Sequence, residues 1–295
     1  MNYYDDQTYA FFDGAYSKVS EIRIDPFSQS LHYGNSIFEG LRAYKTSNGI
    51  GIFKARKHFE RMAEAAARLG VALPYPIDEL IQTSYRLLEI NGLQDAYIRP
   101  LLYPGANMSL SATPESHLLI LTWKWGRLLG DSCVNLTVSD VRLPDANFIE
   151  AKVSGRYVHS VMATTAARAR GFNDAIMLDS RGHVCGAAGA NLFIEKNEVL
   201  LTPARGNILP GITRQTVLEL AKDMGIQTIE KDLDPSELAQ ADAAFLAGTA
   251  VEITGVESID GRTMPTPWTD SIGYMINRQY KKLVTNSNAH EWTLI

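Results

Sequence analysis

Residues 181–194 read RGHVCGAAGANLFI. One strand leads into this stretch, another leads out, and five of the six residues 186–191 are Gly or Ala. The SRG turn at 180–182 has already reversed the chain, so a second run of small residues needs its own cause. Such runs mark a tight bend or bulge between core strands, or a place where a ligand or another backbone comes close.

Working outward, the stretch lies among short strands. DAIMLD (174–179) precedes it, and NLFIEK (191–196) and EVLLTP (198–203) follow. Helical periodicity brackets these strands: RYVHSVMATTAARARGF (156–172) stops at Gly171, and GITRQTVLELAKDMGI (211–226) sets Val217, Leu220, Ala221 and Met224 inward. VNLTVSDV (134–141) and DAAFLAGTA (242–250) read as further strands, and DSIGYMINRQYKKLV (270–284) as a C-terminal helix.

The N-terminal part opens with a hairpin, TYAFFDGAYSKV (8–19), around a DG turn. A short strand IGIFKA (50–55) leads to a helix with Phe59, Met62, Ala66 and Leu69 on one face, closed by Gly70. A second helix, 76–92, carries Ile77, Leu80, Ile81, Leu87 and Leu88, and strands AYIRPLLYPG (96–105) and HLLILTWKWG (117–126) follow. GRLLGDS (126–132) breaks the pattern with two glycines and reads as a linker. The expected division is a small N-terminal domain, 1–125, the linker 126–132, and a larger C-terminal domain, 133–295. The class is α+β. Strict strand–helix alternation is missing, and so is a G-x-G-x-x-G fingerprint.

With 295 residues, 45% hydrophobic and 21% charged, the chain can bury a full core without staples. A net charge of −5 offers no electrostatic footprint for nucleic acid or an anionic membrane. The longest apolar runs are strand-sized. The start, MNYYDDQTYA, has neither the basic nor the apolar region of a signal peptide, and Cys133 and Cys185 form no framework, so a cytoplasmic protein is expected. The six His show no metal-ligand spacing, so no metal is expected.

Four features carry chemistry. Lys152, in EAKVSGRY, stands outside any charge run among small and apolar neighbours. A lysine in an apolar pocket becomes a nucleophile and forms Schiff bases, whereas an isolated loop lysine is most often simply exposed. ILPGITRQ (208–215) puts Pro and Gly before a helix whose first turn holds Thr213. Free N–H groups there suit a phosphate, although Pro/Gly helix starts are common without one. LAGTA (246–250) ends a strand in a Gly-Thr turn, where Thr249 could serve the same anion. Arg61, on the first helix, is either solvated or a fork for that phosphate.

Taken in order, HYGNSIFEGLRAY, FERM, AYIRP, EAKVSGRY, GAAGANLF, LPGITR and AGTAVEI resemble the class IV aminotransferases, the fold-type IV enzymes that use pyridoxal 5′-phosphate. The resemblance runs from about residue 10 to 285 and is nearest to the branched-chain amino-acid group. It implies a small N-terminal α/β domain, a larger C-terminal pseudo-barrel domain, a cofactor in the cleft, and homodimers or higher assemblies. Lys152 matches the Schiff-base lysine, which also moves the proton between Cα and the cofactor. Tyr157 matches the tyrosine on the phenolic oxygen, and Arg61, Ile212, Thr213 and Thr249 match the phosphate cup. Tyr97, Arg99 and Phe38 match the substrate end, Tyr33 would reach in from a partner subunit, and the Ala250 N–H would meet the substrate carboxylate.

The implied reaction is transamination of branched-chain L-amino acids with 2-oxoglutarate. D-amino-acid transamination and aminodeoxychorismate lysis run on the same scaffold, but YIRP and HYGNSIFEG favour the branched-chain reading. One departure stands out. The family pattern has a Glu on the pyridine nitrogen where this chain has Gly186, and no acidic residue lies between Arg181 and Ile194. Gly186 therefore implies a cofactor-binding site with impaired turnover as a further alternative.

Overall fold

The fold is that of a computed structural model, which describes residues 3–113, 115–126, 129, 133–144, 150–206, 208–286 and, for the backbone alone, 292–293. The chain divides into two compact units. The first comprises residues 1–126 together with 151–156 and 284–295; the second comprises 127–150 and 157–283. Gly126 closes the first unit, and Leu129 packs against the core of the second. The rest of the expected linker, 127–128 and 130–132, lies outside the described residues. A cut of the sequence into two consecutive blocks misses the return of 151–156 to the first unit. That return depends on strand pairing across more than a hundred residues, which no local pattern encodes.

In the first unit the elements are β1 (Tyr9–Phe12), β2 (Ala15–Lys18), α1 (Gln29–Tyr33), β3 (Ile37–Phe38), β4 (Leu41–Thr46), β5 (Gly49–Phe53), α2 (Ala55–Leu69), α3 (Ile77–Ile90), β6 (Ala96–Pro104) and β7 (Ser116–Trp123). Their sheet runs β5-β4-β6-β7-β1-β2 with antiparallel pairing, and β3 adds to β6. The helices pack their apolar stripes, Phe59, Met62 and Ala66 of α2 and Leu80, Ile81, Leu87 and Leu88 of α3, with Ile52, Ile98 and Ile120 of the sheet. Gly70 ends α2 in the left-handed conformation expected of a helix stop.

In the second unit the elements are β8 (Val134–Leu143), α4 (Tyr157–Ala169), β9 (Asp174–Asp179), β10 (Val184–Ala187), β11 (Asn191–Lys196), β12 (Val199–Pro203), α5 (Ile212–Asp223), β13 (Thr228–Lys231), α6 (Pro235–Leu238), β14 (Ala243–Gly248), β15 (Glu252–Ile259), β16 (Arg262–Thr263) and α7 (Ile272–Thr285). The sheet order β10-β9-β8-β15-β14-β11-β12-β13 mixes parallel and antiparallel pairs. Its end strand β10 comes back against β11 and β12, so the sheet curls into a half-barrel. Every residue of β9 is buried, which is why DAIMLD reads as a continuous run and not an alternating one. Helix α5 buries Thr213, Arg214, Thr216, Val217 and Ala221, while Leu220 and Met224 are only half-buried. The inward face begins further toward the N-terminus than hydrophobicity alone suggests, because polar residues of the first turn are buried too.

Among the described residues no helix is long and apolar enough to cross a membrane.

Candidate active site

Lys152 belongs by backbone pairing to the first unit. The Phe38 N–H donates to Lys152 O (3.0 Å), Ile37 bridges Val153, the Ser154 N–H donates to Ser36 O (2.8 Å), and the Gly155 N–H donates to Gly34 O (2.6 Å). Residues 151–155 thus extend the edge that HYGNSIF begins. Ala151 and Val153 are buried in the first core, and the Val153 N–H donates to Ala151 O (3.1 Å), a tight three-residue turn with Lys152 at its centre. Lys152 is half-buried, with Nζ 4.4 Å from the centroid of the Phe38 ring.

Phe38, Tyr97 and Arg99 come together. The Arg99 guanidinium lies 4.8 Å from the Phe38 centroid, 5.3 Å from Tyr97 and 5.9 Å from Trp123. Tyr97 in turn packs on Trp123 (5.1 Å) and Trp125 (4.8 Å). The two tryptophans escaped the sequence reading; the signal was the W-x-W at the end of β7, where Trp123 stands directly across from Tyr97. Arg99 Nε and Trp123 Nε1 are buried donors without a hydrogen-bond partner among the described residues, so this aromatic-walled group retains capacity for an acceptor.

Arg61 meets two residues that sequence reasoning also missed. Its Nε donates to Glu39 Oε1 (2.7 Å) and its Nη2 to Glu39 Oε2 (2.8 Å). His58 Nδ1 is 2.8 Å from Glu39 Oε2. Burial alone would push the Glu39 carboxyl up, but the Arg61 charge and the His58 and Arg61 hydrogen bonds outweigh it and hold it far below the usual carboxylate range. Burial, with the Arg61 and Lys152 charges, keeps His58 below its ordinary value against the pull of Glu39. Tyr33 is exposed, and its hydroxyl donates to Met108 O (2.9 Å).

In the second unit the small-residue run has a visible cause. Gly186 sits at a bulge between β10 and β9 with φ +133°, and a Cβ there would lie 2.8 Å from Ala190 O. The Ala187 N–H donates to that same oxygen (2.9 Å), closing a narrow loop. Ala190 lies against Gly248, where a Cβ would stand 3.4 Å from its own. Asn191 Nδ2 donates to Leu209 O (3.1 Å), and its Oδ1 occupies the space a Cβ would need at Gly211. Three backbone segments therefore meet: the 186–191 run, the start of α5 and the end of β14. Larger residues would hold them apart.

This meeting point has the makings of an anion site. Helix α5 starts at Gly211 with no side-chain cap, leaving first-turn N–H groups to an external acceptor. Thr213 in that turn is 3% exposed. Thr249 and Ala250 form the turn that follows Gly248, and α5 packs on β14. Glu252, next after the turn, holds a left-handed φ of +55° although buried and paired with Lys281, so its surroundings impose the shape. Tyr157 is the first residue of α4 and half-buried. Glu195 cannot replace the acid expected at 186: its two oxygens accept the Ile272 and Gly273 N–H groups (3.0 and 2.8 Å) at the start of α7.

The sequence profile of the class IV aminotransferases matches residues 36–259. The branched-chain-amino-acid aminotransferase of Pseudomonas aeruginosa is 33% identical over 96% of this chain and 95% of its own length. The branched-chain aminotransferase of Thermoproteus uzoniensis, solved with norvaline, superposes with a TM-score of 0.89 at 35% identity, covering 94% of this chain and 95% of that one. The branched-chain amino acid aminotransferase of Escherichia coli gives a TM-score of 0.90 at 30% identity, covering 98% of this chain and 99% of that one. A further branched-chain amino acid aminotransferase was solved in complex with N-(5′-phosphopyridoxyl)-L-glutamate, and its TM-score is 0.89 at 31% identity over 97% of both chains. With the profile covering most of the chain and the likeness extending over nearly all of it, this protein belongs to the class IV aminotransferases.

Proposed function

We propose that the chain transfers the amino group of branched-chain L-amino acids to 2-oxoglutarate with pyridoxal 5′-phosphate as cofactor. The observation that carries this reading is Lys152. It is pinned by its backbone to β3 and extends its amine over the Phe38 ring, and the next residue, Glu39, holds Arg61 of the same unit. The chain as a whole is similar to relatives named for this activity. When bound, the cofactor supplies the carbonyl that accepts the amino group and the electron-withdrawing ring.

The chain's own residues supply the rest. Lys152 Nζ holds the cofactor and takes and returns the proton at the substrate's Cα. Arg61, the α5 N-terminus with Ile212 and Thr213, and Thr249 hold the phosphate. Tyr157 donates to the phenolic oxygen, and the Ala250 N–H orients the substrate carboxylate. Phe38, Tyr97 and the two tryptophans form an apolar wall for Leu, Ile or Val, which such a wall separates by only about 1–3 kcal/mol per methylene. Arg99, with its unmet Nε, suits the second carboxylate of 2-oxoglutarate.

The residues fit the phosphate and carbonyl ends of the cofactor, while position 186 offers the ring nitrogen no acid. Gly186 supports a second reading, a site that binds the cofactor and turns over slowly. Exposed Phe27, Leu31, Met108 and Leu110 in the first unit, and Val158, Val161 and Met162 on α4 in the second, support a homodimer in which Tyr33 serves the partner's site. Cys133 and Cys185, which form no disulfide, support a cytoplasmic setting.

The test is an absorbance titration of the purified chain with pyridoxal 5′-phosphate. L-leucine is then added, followed by 2-oxoglutarate. A change to the pyridoxamine spectrum and back carries the reading; a spectrum unmoved over hours at millimolar leucine supports the slow-turnover alternative.

A further inference from the structure

Glu39 is an unexpected charge for a core. It is 0% exposed, between β3 and β4, and its own N–H is committed to Pro100 O (3.0 Å). Both carboxylate oxygens are engaged by α2, through Arg61 Nε and Nη2 and through His58 Nδ1. His58 and Arg61 stand three residues apart, on one face of that helix. An ionised carboxylate only accepts hydrogen bonds, so His58 Nδ1 carries the proton and donates it. Burying such a group is a poor way to gain stability, since well-packed apolar residues commonly do as well or better. What the arrangement gives is geometry. A two-point contact fixes the plane of a guanidinium, and the edge carrying Nε and Nη2 is committed to Glu39. Anything else that Arg61 binds is met from its Nη1 side.

We propose that Glu39 is the positioning residue for Arg61, locking its Nη1 side toward the cofactor phosphate, with His58 holding the carboxylate in place. The proposal rests on the functional reading above. It separates two effects that oppose each other. If Glu39 mattered through its charge, removing it would leave Arg61 a stronger cation and tighten phosphate binding. If it matters through position, removing it weakens phosphate binding.

The experiment compares the affinity of the full chain for pyridoxal 5′-phosphate with its affinity for pyridoxal, which lacks the phosphate, by fluorescence titration. In Glu39→Gln the ratio of the two is expected to fall about tenfold, the scale of one charge-assisted hydrogen bond. Affinity for pyridoxal itself should stay within about twofold. In an Arg61→Gln background, Glu39→Gln should change the ratio by less than about twofold, because the residue it positions is gone. Glu39→Asp keeps the charge but withdraws it by one methylene, and the same fall is expected there should Glu39→Gln not fold. An unchanged or rising ratio, a parallel loss of both affinities, or a full effect in the Arg61→Gln background overturns the proposal. A wild-type chain that binds neither compound overturns the functional reading as well, whereas one that prefers the phosphate with unchanged variants overturns only the role of Glu39.

Discussion

Phe38 and Lys152 are joined twice: the Phe38 N–H donates to Lys152 O at 3.0 Å, and the Lys152 amine lies 4.4 Å from the centre of the Phe38 ring. The backbone bond fixes where the lysine starts, and the ring gives its charged end a π-face to rest on. Main chain and side chain are therefore positioned by the same residue, 114 positions earlier in the sequence.

Because the backbone bonds hold the segment, Lys152→Ala should remove chemistry and leave the fold. The melting temperature is expected to stay within about 3 °C of wild type. The half-reaction with L-leucine should slow at least about a thousandfold. Borohydride reduction followed by mass spectrometry should attach cofactor to the wild type and not to the variant. A variant that keeps either the mass gain or the rate removes Lys152 from its proposed role.

Gly186 should resist every side chain. Its φ of +133° is glycine territory, and a Cβ would press on Ala190 O. Gly186→Ala is expected to cost about 1–3 kcal/mol in urea unfolding. Gly186→Glu shares that strain, so the difference between the two variants isolates the carboxylate. If the acid reaches the ring nitrogen, the half-reaction should run about a hundredfold faster in the Glu variant than in the Ala variant. Equal rates would show that this chain does not need an acid at 186.

The Glu39–His58 pair predicts acid sensitivity. His58 is held below its ordinary value in the fold, so the unfolded chain takes up a proton there first as pH falls below about 6.5. The unfolded state then binds more protons, and stability drops with pH. Glu39, also held down, adds a further loss below about pH 4.5, where the unfolded carboxylate protonates. His58→Gln cannot titrate. Its melting temperature should fall less than that of wild type between about pH 7.5 and 5.5. Parallel curves would disprove this.

Glu195 should prove structural. Burial pushes its carboxyl up, against the Gly273 and Ile272 N–H bonds that hold it down, yet it closes the first turn of α7. Glu195→Ala leaves the buried Gly273 N–H and the half-buried Ile272 N–H without this acceptor, at an expected cost of about 1–3 kcal/mol in urea unfolding. Affinity for pyridoxal 5′-phosphate should be unaffected. Weakened binding in a stably folded Glu195→Ala would contradict this assignment.

Much of the architecture was legible in the sequence. The stripes of α2 and α3, the continuous apolar run of β9 and the glycine stop at Gly70 are local patterns, because helix and strand periodicities repeat within a few residues. The motif order nominated Lys152, Arg61 and Thr213 for their proposed roles. The residues around them were not legible. Glu39 and His58 carry no local signal of their partnership, and Trp123 and Trp125 read only as the end of a strand. Only tertiary structure brings Glu39 onto α2, sets Trp123 across from Tyr97, and returns 151–156 to the first unit. It also explains the small residues at 186–191, which let three backbone segments touch within the second unit. Hydrogen bonds and packing between residues far apart in sequence have no period to read. A buried charge shows its purpose only when its partner is seen.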